Sequence, residues 1–192
     1  GGQMADDVRV LNNTIYGVRQ GIHVGQSRPL AKRLTTRIDC AERLQILGNT
    51  ITVLLPLLQP IERHGIFCGN CNSLTIENNH IIIKRYPGTT YMAIDGIRVF
   101  GYMGPFVKVR QNHIIDPIVG VYFNPLSSDA AAKRQSRPLW LIAENLSEGT
   151  HVRESCEIGD RKRKGETAIQ RKARLLRNKQ KSNKVTQFRN LP

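Results

Sequence analysis

The chain lacks any apolar run near the roughly 20 residues that a membrane-crossing helix needs. Its longest, residues 53–58, is interrupted by Pro56, so no membrane insertion is expected. Cysteine is scarce as well: Cys40, Cys68, Cys71 and Cys156 are too few and too irregularly spaced for a disulfide framework in 192 residues. No basic and apolar leader stands at the start, and Gly1 rather than Met opens the chain, which neither indicates nor excludes export. Carboxylates are outnumbered, 15 Asp and Glu against 29 Lys and Arg, for a net charge of +14. That excess points to a polyanionic partner: nucleic acid, an acidic polysaccharide or a membrane surface. Apart from Asp6-Asp7 the carboxylates are dispersed, which leaves a calcium-dependent site without ligands. Hydrophobic residues make up 40% of the chain, enough for the core of one domain.

What the chain does have is a repeat. The stretches "RVLNNTI" (9–15), "LQILGNTI" (44–51), "SLTIENNHI" (73–81) and "VKVRQNHI" (107–114) align on Asn13, Asn49, Asn79 and Asn112. A fainter fifth copy places Asn145 in "LWLIAENL", and the intervals are 36, 30, 33 and 33 residues. Before each Asn the chain alternates apolar, polar, apolar: Val8-Arg9-Val10, Leu44-Gln45-Ile46, Leu74-Thr75-Ile76, Val107-Lys108-Val109 and Leu139-Trp140-Leu141. This period of two is the signature of a half-buried strand and excludes helical repeats. Ile15, Ile51, Ile81 and Ile114 follow two residues after the Asn, and a glycine-led second strand opens at Gly21, Gly65, Gly96 and Gly120.

One such unit cannot bury its own apolar side, whereas stacking it on a copy can, so the pattern predicts a β-solenoid. Stacked copies lie about 4.8 Å apart, which lets the recurrent Asn side chains form a ladder. Glycine at the other corner is expected to supply positive φ and close backbone approach. The pattern "GIxV…LxIxNNxI" resembles the parallel β-helix repeat of the pectin-lyase-like, right-handed β-helix proteins, over about residues 8–146. The resemblance implies an all-β, right-handed parallel β-helix of four to five coils. It also implies a choice among carbohydrate-active enzymes (lyases, polygalacturonases, epimerases), phage tailspikes and binding or structural modules.

Enzyme signatures of that family are incomplete. Asn49-Thr50 is followed by Ile51, Asp6-Asp7 lies outside the repeats, Arg63-His64-Gly65 lacks the first glycine, and Asp116-Pro117 leads into Ile118-Val119. With only four or five coils, the chain reads as the C-terminal part of a longer solenoid.

The frame itself nominates candidates. Gln20, His64, Asp95 and Val119 precede the corner glycines, so His64 and Asp95 belong on adjacent rungs with Arg98 nearby. They form either a general base with an anion stabiliser or a His–Asp pair that stabilises a turn. Outward positions His23, Phe67, Arg98 and Tyr122 form a stripe suited to saccharide, unless the connectors cover it. A second outward ladder runs Arg9, Gln45, Thr75, Lys108, Trp140. Connectors 52–63 and 83–94 leave one corner, which nominates Arg63, Lys84, Arg85, Tyr86 and Tyr91 as a cleft wall. Cys68-x-x-Cys71 has no second pair at zinc spacing, and Cys68 shares the inward position of Val24, Val99 and Phe123, so it reads as core rather than metal ligand. No cofactor is called for.

From Ser147 the pattern gives way to 13 Lys and Arg against five Asp and Glu. The boundaries drawn are 1–146 for the repeat domain and 147–192 for a basic tail or cap, with one helical stripe at Ile169, Ala173 and Leu176. The expectation is a module that binds polysaccharide or another polyanion, or acts as a scaffold, at a cell envelope or outside the cell. Nucleic acid is disfavoured because the tail lacks interleaved aromatics.

Overall fold

Alternating aliphatics with a turn residue every few positions give short strands, and the structure, a computed structural model, describes residues 5–25, 41–55, 63–86, 94–125 and 139–158. Thirteen strands account for them: β1 (Val8–Leu11), β2 (Thr14–Val18), β3 (Ile22–Val24), β4 (Ala41–Leu47), β5 (Thr50–Leu54), β6 (Arg63–Glu77), β7 (His80–Lys84), β8 (Ile94–Arg110), β9 (His113–Ile115), β10 (Val119–Pro125), β11 (Leu139–Ala143), β12 (Leu146–Glu148) and β13 (Glu154–Ile158). No described residue is helical. The fold is all-β, and every strand pair is parallel.

The strands form an eight-stranded sheet, β1-β4-β6-β8-β10-β13 with β3 on β6 and β11 on β8, and a five-stranded sheet, β12-β9-β7-β5-β2. The long strands β6 and β8 bend in the middle. Asn70 and Gly101 take positive φ at the bends (57° and 94°). The first halves pair with β3 and β10 and the second halves with β4 and β11, so the larger sheet behaves as two columns and the smaller one as a third.

Inward positions stack like on like. Ile22, Ile66, Ile97 and Val121 stand in one register, as do Val24, Cys68, Val99 and Phe123. Val10, Ile46, Ile76, Val109 and Ile142 line the second column, and Ile15, Ile51, Ile81 and Ile114 the third. All four rows feed one apolar core. Burying each aliphatic contributes about 1.5–3 kcal/mol, and a parallel stack lets one residue type satisfy every rung.

The polar turns are internal as well. Asn49, Asn79 and Asn112 are buried. Each Oδ1 accepts from both the backbone N–H and the Nδ2 of the Asn one rung earlier: Asn13 to Asn49 at 2.9 and 3.0 Å, Asn49 to Asn79 at 3.0 and 2.9 Å, Asn79 to Asn112 at 3.0 and 2.9 Å, Asn112 to Asn145 at 3.2 and 2.8 Å. The residue before each ladder Asn is left-handed: Asn12, Gly48, Asn78, Gln111 and Glu144 have φ between 53° and 65°. Asn and Gly take that conformation readily, which accounts for the doubled Asn.

Three expectations need correction. Gly21, Gly65 and Gly96 are not left-handed. Their requirement is space alone, because a Cβ there would collide with Cγ2 of Ile51, Ile81 or Ile114 and with the carbonyl of the next rung's glycine. Trp140 does not join the outward ladder: it stands in register with Val107, while Leu141 stands opposite Lys108. Trp140 packs against the core, meets Phe123 edge-on at 5.3 Å and donates Nε1–H to the Gly104 carbonyl at 3.0 Å. Finally, strand pairing does not stop at residue 146, since β12 adds to β9 and β13 to β10. The described strands lie in the unit Gly1–Ile158, and the second unit, Gly159–Pro192, is outside the described residues, as is its helical stripe.

Candidate functional site

Parallel register brings His23, Phe67, Arg98 and Tyr122 into one row on β3, β6, β8 and β10. The row resolves into two pairs. His23 stacks on Phe67 at 4.4 Å and 18°, and the Arg98 guanidinium lies 4.6 Å from the Tyr122 ring centre, a cation–π contact. Openness is uneven: His23 is exposed and Tyr122 half-buried, but Phe67 is only 2% exposed. Phe67 therefore offers no ring face to a ligand and serves as a buried support for His23.

His64 and Asp95 stand opposite each other on β6 and β8, with Nδ1 3.5 Å from Oδ2. Arg98 Nη1 approaches the same oxygen at 3.6 Å. Both separations are too long for good hydrogen bonds, and both His64 and Asp95 are under 5% exposed. A general base must reach a substrate proton directly or through one water. The pair meets the requirement of mutual proximity, while its burial suits a His–Asp contact that stabilises the corner.

The nominated cleft wall does not converge. Arg63 is buried at the start of β6, Lys84 places Nζ 5.7 Å over the Tyr16 ring, and Tyr86 is exposed. Arg85 turns the other way along the stack, donating Nη2–H to the Asp116 carbonyl at 2.7 Å with Nε 3.3 Å from Oδ2. Tyr91 is outside the described residues. Both connectors also begin later than expected, because β5 runs to Leu54 and β7 to Lys84.

Two charged clusters were missed by the sequence reading. Asp116, left-handed at φ 59°, holds His151 Nδ1 at 2.8 and 2.9 Å and accepts the His151 backbone N–H at 3.1 Å. Extending the repeat frame past residue 146 would have revealed this, since Ile115 pairs with Glu148 and the next two positions lead to His151. Glu77 accepts from Lys108 at 2.8 Å and Arg110 at 2.6 Å, one rung on. Burial pushes both carboxyls up, but their donors prevail and hold both below their ordinary values, Glu77 through Lys108 and Arg110, Asp116 through His151 and Arg85.

A depressed carboxyl contributes stability above its unfolded pKa and loses that contribution as pH falls through the folded one. The contribution is therefore complete above 4.5 for Glu77 and 3.8 for Asp116 and declines in more acid solution. In thermal unfolding across that range, Glu77→Gln should cost about 1–2 kcal/mol at neutral pH and flatten the acid decline. An acid decline identical to that of the parent chain would remove Glu77 from this role.

Cys68 stands in register with Val24 and Val99, and burial, assisted by Cys71, pushes its thiol well up, which disfavours the thiolate a metal needs. Among the described residues no group of three or more His, Cys, Asp or Glu is placed to hold a metal ion. No family model, curated protein or solved structure matches the chain.

Proposed function

We propose that the three columns are faces of one right-handed parallel β-helix, and that this β-helix is a rigid repeat module for binding or scaffolding, with carbohydrate as its ligand class. The observation that carries the reading is the parallel register of like side chains along the asparagine and isoleucine columns, the ladder Asn residues recurring at 30 to 36 residues with their hydrogen bonds inside the turn. A surface held that firmly presents residues at fixed spacing, which suits recognition of a repeating polymer. Burial of His64 and Asp95 favours this reading over an enzyme acting through that pair. The saccharide contact is the accessible part of the row, His23 with Tyr122 and the edge of Arg98. A cell-envelope or extracellular setting follows from that ligand class.

Polyanion binding is a second reading, and charge placement favours it. Gly159–Pro192 contains 12 Lys and Arg against two Asp and Glu.

Titration calorimetry with neutral oligosaccharides and with heparin separates the two. Chain shortened after Ile158, which keeps β12 and β13, should retain saccharide binding and lose most heparin binding together with its salt dependence. His23→Ala or Tyr122→Ala should weaken saccharide about tenfold and leave heparin unchanged. Saccharide affinity indifferent to both substitutions would sink the carbohydrate assignment. Heparin binding with an undiminished salt slope after shortening would place the basic site on the strands.

A further inference from the structure

The Asp116–Pro117 peptide bond is surrounded by chemistry that saccharide binding leaves unused. Arg85 donates Nη2–H to the Asp116 carbonyl oxygen at 2.7 Å, and its Nε lies 3.3 Å from Oδ2 of the same residue. One guanidinium thus grips both the carbonyl of this bond and the side chain placed to attack it. His151 holds the same carboxylate from the next rung, with Nδ1 2.8 and 2.9 Å from its two oxygens and the backbone N–H donating to Oδ1 at 3.1 Å. Gly149 makes room for that approach, since a Cβ there would stand 2.8 Å from Asp116 Cα and Oδ1. Asp116 is also held at φ 59°, whereas a residue before proline favours an extended φ of about −120°, so breaking the bond relieves a strained backbone. Pro117 supplies the leaving group: its nitrogen is a tertiary amide without an N–H, and it departs as a secondary amine once protonated.

We propose that the chain cleaves itself between Asp116 and Pro117. An Asp116 carboxylate oxygen attacks the Asp116 carbonyl carbon, within one residue and therefore at high effective concentration. The Arg85 guanidinium stabilises the carbonyl oxygen as it becomes an oxyanion. The carbon–nitrogen bond breaks, a five-membered cyclic anhydride remains on Asp116, and the Pro117 nitrogen takes a proton from the His151 imidazolium, directly or through one water. A second water opens the anhydride to two carboxylates, and of the two protons released one returns to His151 and the other goes to the Pro117 amine. The cut falls between β9 and β10. Because β10 and β11 both pair with β8, the two pieces stay assembled, and the break shows only under denaturing conditions.

Denaturing electrophoresis and mass spectrometry of the full chain test this, after incubation at about pH 5, where carboxylates are ionised and imidazoles protonated in their ordinary ranges. Two fragments should accumulate, one ending at Asp116 and the other beginning Pro117-Ile118-Val119, at a rate independent of protein concentration. Asp116→Asn, which keeps a residue tolerant of positive φ, and Pro117→Ala should abolish the cut. Arg85→Gln and His151→Gln should each slow it about a hundredfold, with β-sheet circular dichroism intact. Hydroxylamine added to the incubation should leave a hydroxamate on part of the Asp116 terminus, which marks the anhydride. The control that needs no variant is the parent chain in guanidinium chloride at the same pH, where the bond should break about a hundredfold more slowly, because any Asp–Pro bond is somewhat acid-labile but only the fold brings Arg85 and His151 to it. A folded chain that stays whole, or that breaks no faster than the denatured one, overturns the proposal. So does a folded Arg85→Gln chain that cleaves at the parent rate.

Discussion

Asn79→Ala should be among the most costly polar-to-apolar changes in the chain, about 3–5 kcal/mol in denaturant unfolding. Its side chain donates to the Ile46 and Glu77 carbonyls and to Asn112 Oδ1, and accepts from the backbone and side-chain amides of Asn49. All five bonds sit in a buried turn, and alanine would orphan partners on both neighbouring rungs as well as leave a void. A net hydrogen bond is worth about 1 kcal/mol, but each stranded buried partner costs about 1–3 kcal/mol. Asn13→Ala is the internal control. That residue is exposed and its side chain makes two bonds, to the Leu11 carbonyl and Asn49 Oδ1, so the loss should be about 1 kcal/mol or less. Equal losses at the two positions would mean the ladder does not carry the turns.

Gly96→Ala should be destabilising by about 3 kcal/mol or more, toward the upper end for overpacking. A Cβ there would meet Cγ2 of Ile114 inside contact distance, its Cδ1 at 2.9 Å and the Gly120 carbonyl oxygen at 2.8 Å. One of these neighbours is backbone of the next rung and cannot rotate away. Gly17→Ala provides the comparison: φ is +74°, so the backbone is strained, but the nearest atom to its Cβ is 3.8 Å away. That change should cost about 1–2 kcal/mol, the left-handed penalty alone. The order of the two variants in urea midpoint distinguishes close approach from backbone conformation as the reason for glycine at the rung corner. A smaller loss at Gly96 than at Gly17 would reverse the explanation.

The spacing of Asn49, Asn79 and Asn112 and the isoleucines that follow them were legible because a parallel stack forces equivalent residues into register. Reading a single alternating triplet was less secure. Taking Leu139-Trp140-Leu141 in place of Trp140-Leu141-Ile142 slips the frame by one and turns an inward Trp outward, since strand side chains alternate faces. The corner glycines showed where space was short but not why, because sequence does not distinguish a positive φ from a crowded Cβ. Burial of Phe67, His64 and Asp95 was not legible, since it depends on what surrounds the row rather than on the row. The Asp116–His151 contact spans 35 residues and crosses the point where the repeat loses its aliphatic signature, with Ser147 in place of isoleucine.

The central claim, that rungs separated by about 30 residues in sequence are neighbours through a buried asparagine ladder, is tested most directly by nuclear magnetic resonance of the Asn side-chain amides. The account predicts slowly exchanging Nδ2 protons at Asn49, Asn79 and Asn112, with through-space contacts linking Asn49 to Asn79 and Asn79 to Asn112 across 30 and 33 residues. Side-chain amides that exchange as fast as those of an unfolded chain, with no contact between these residues, would contradict it.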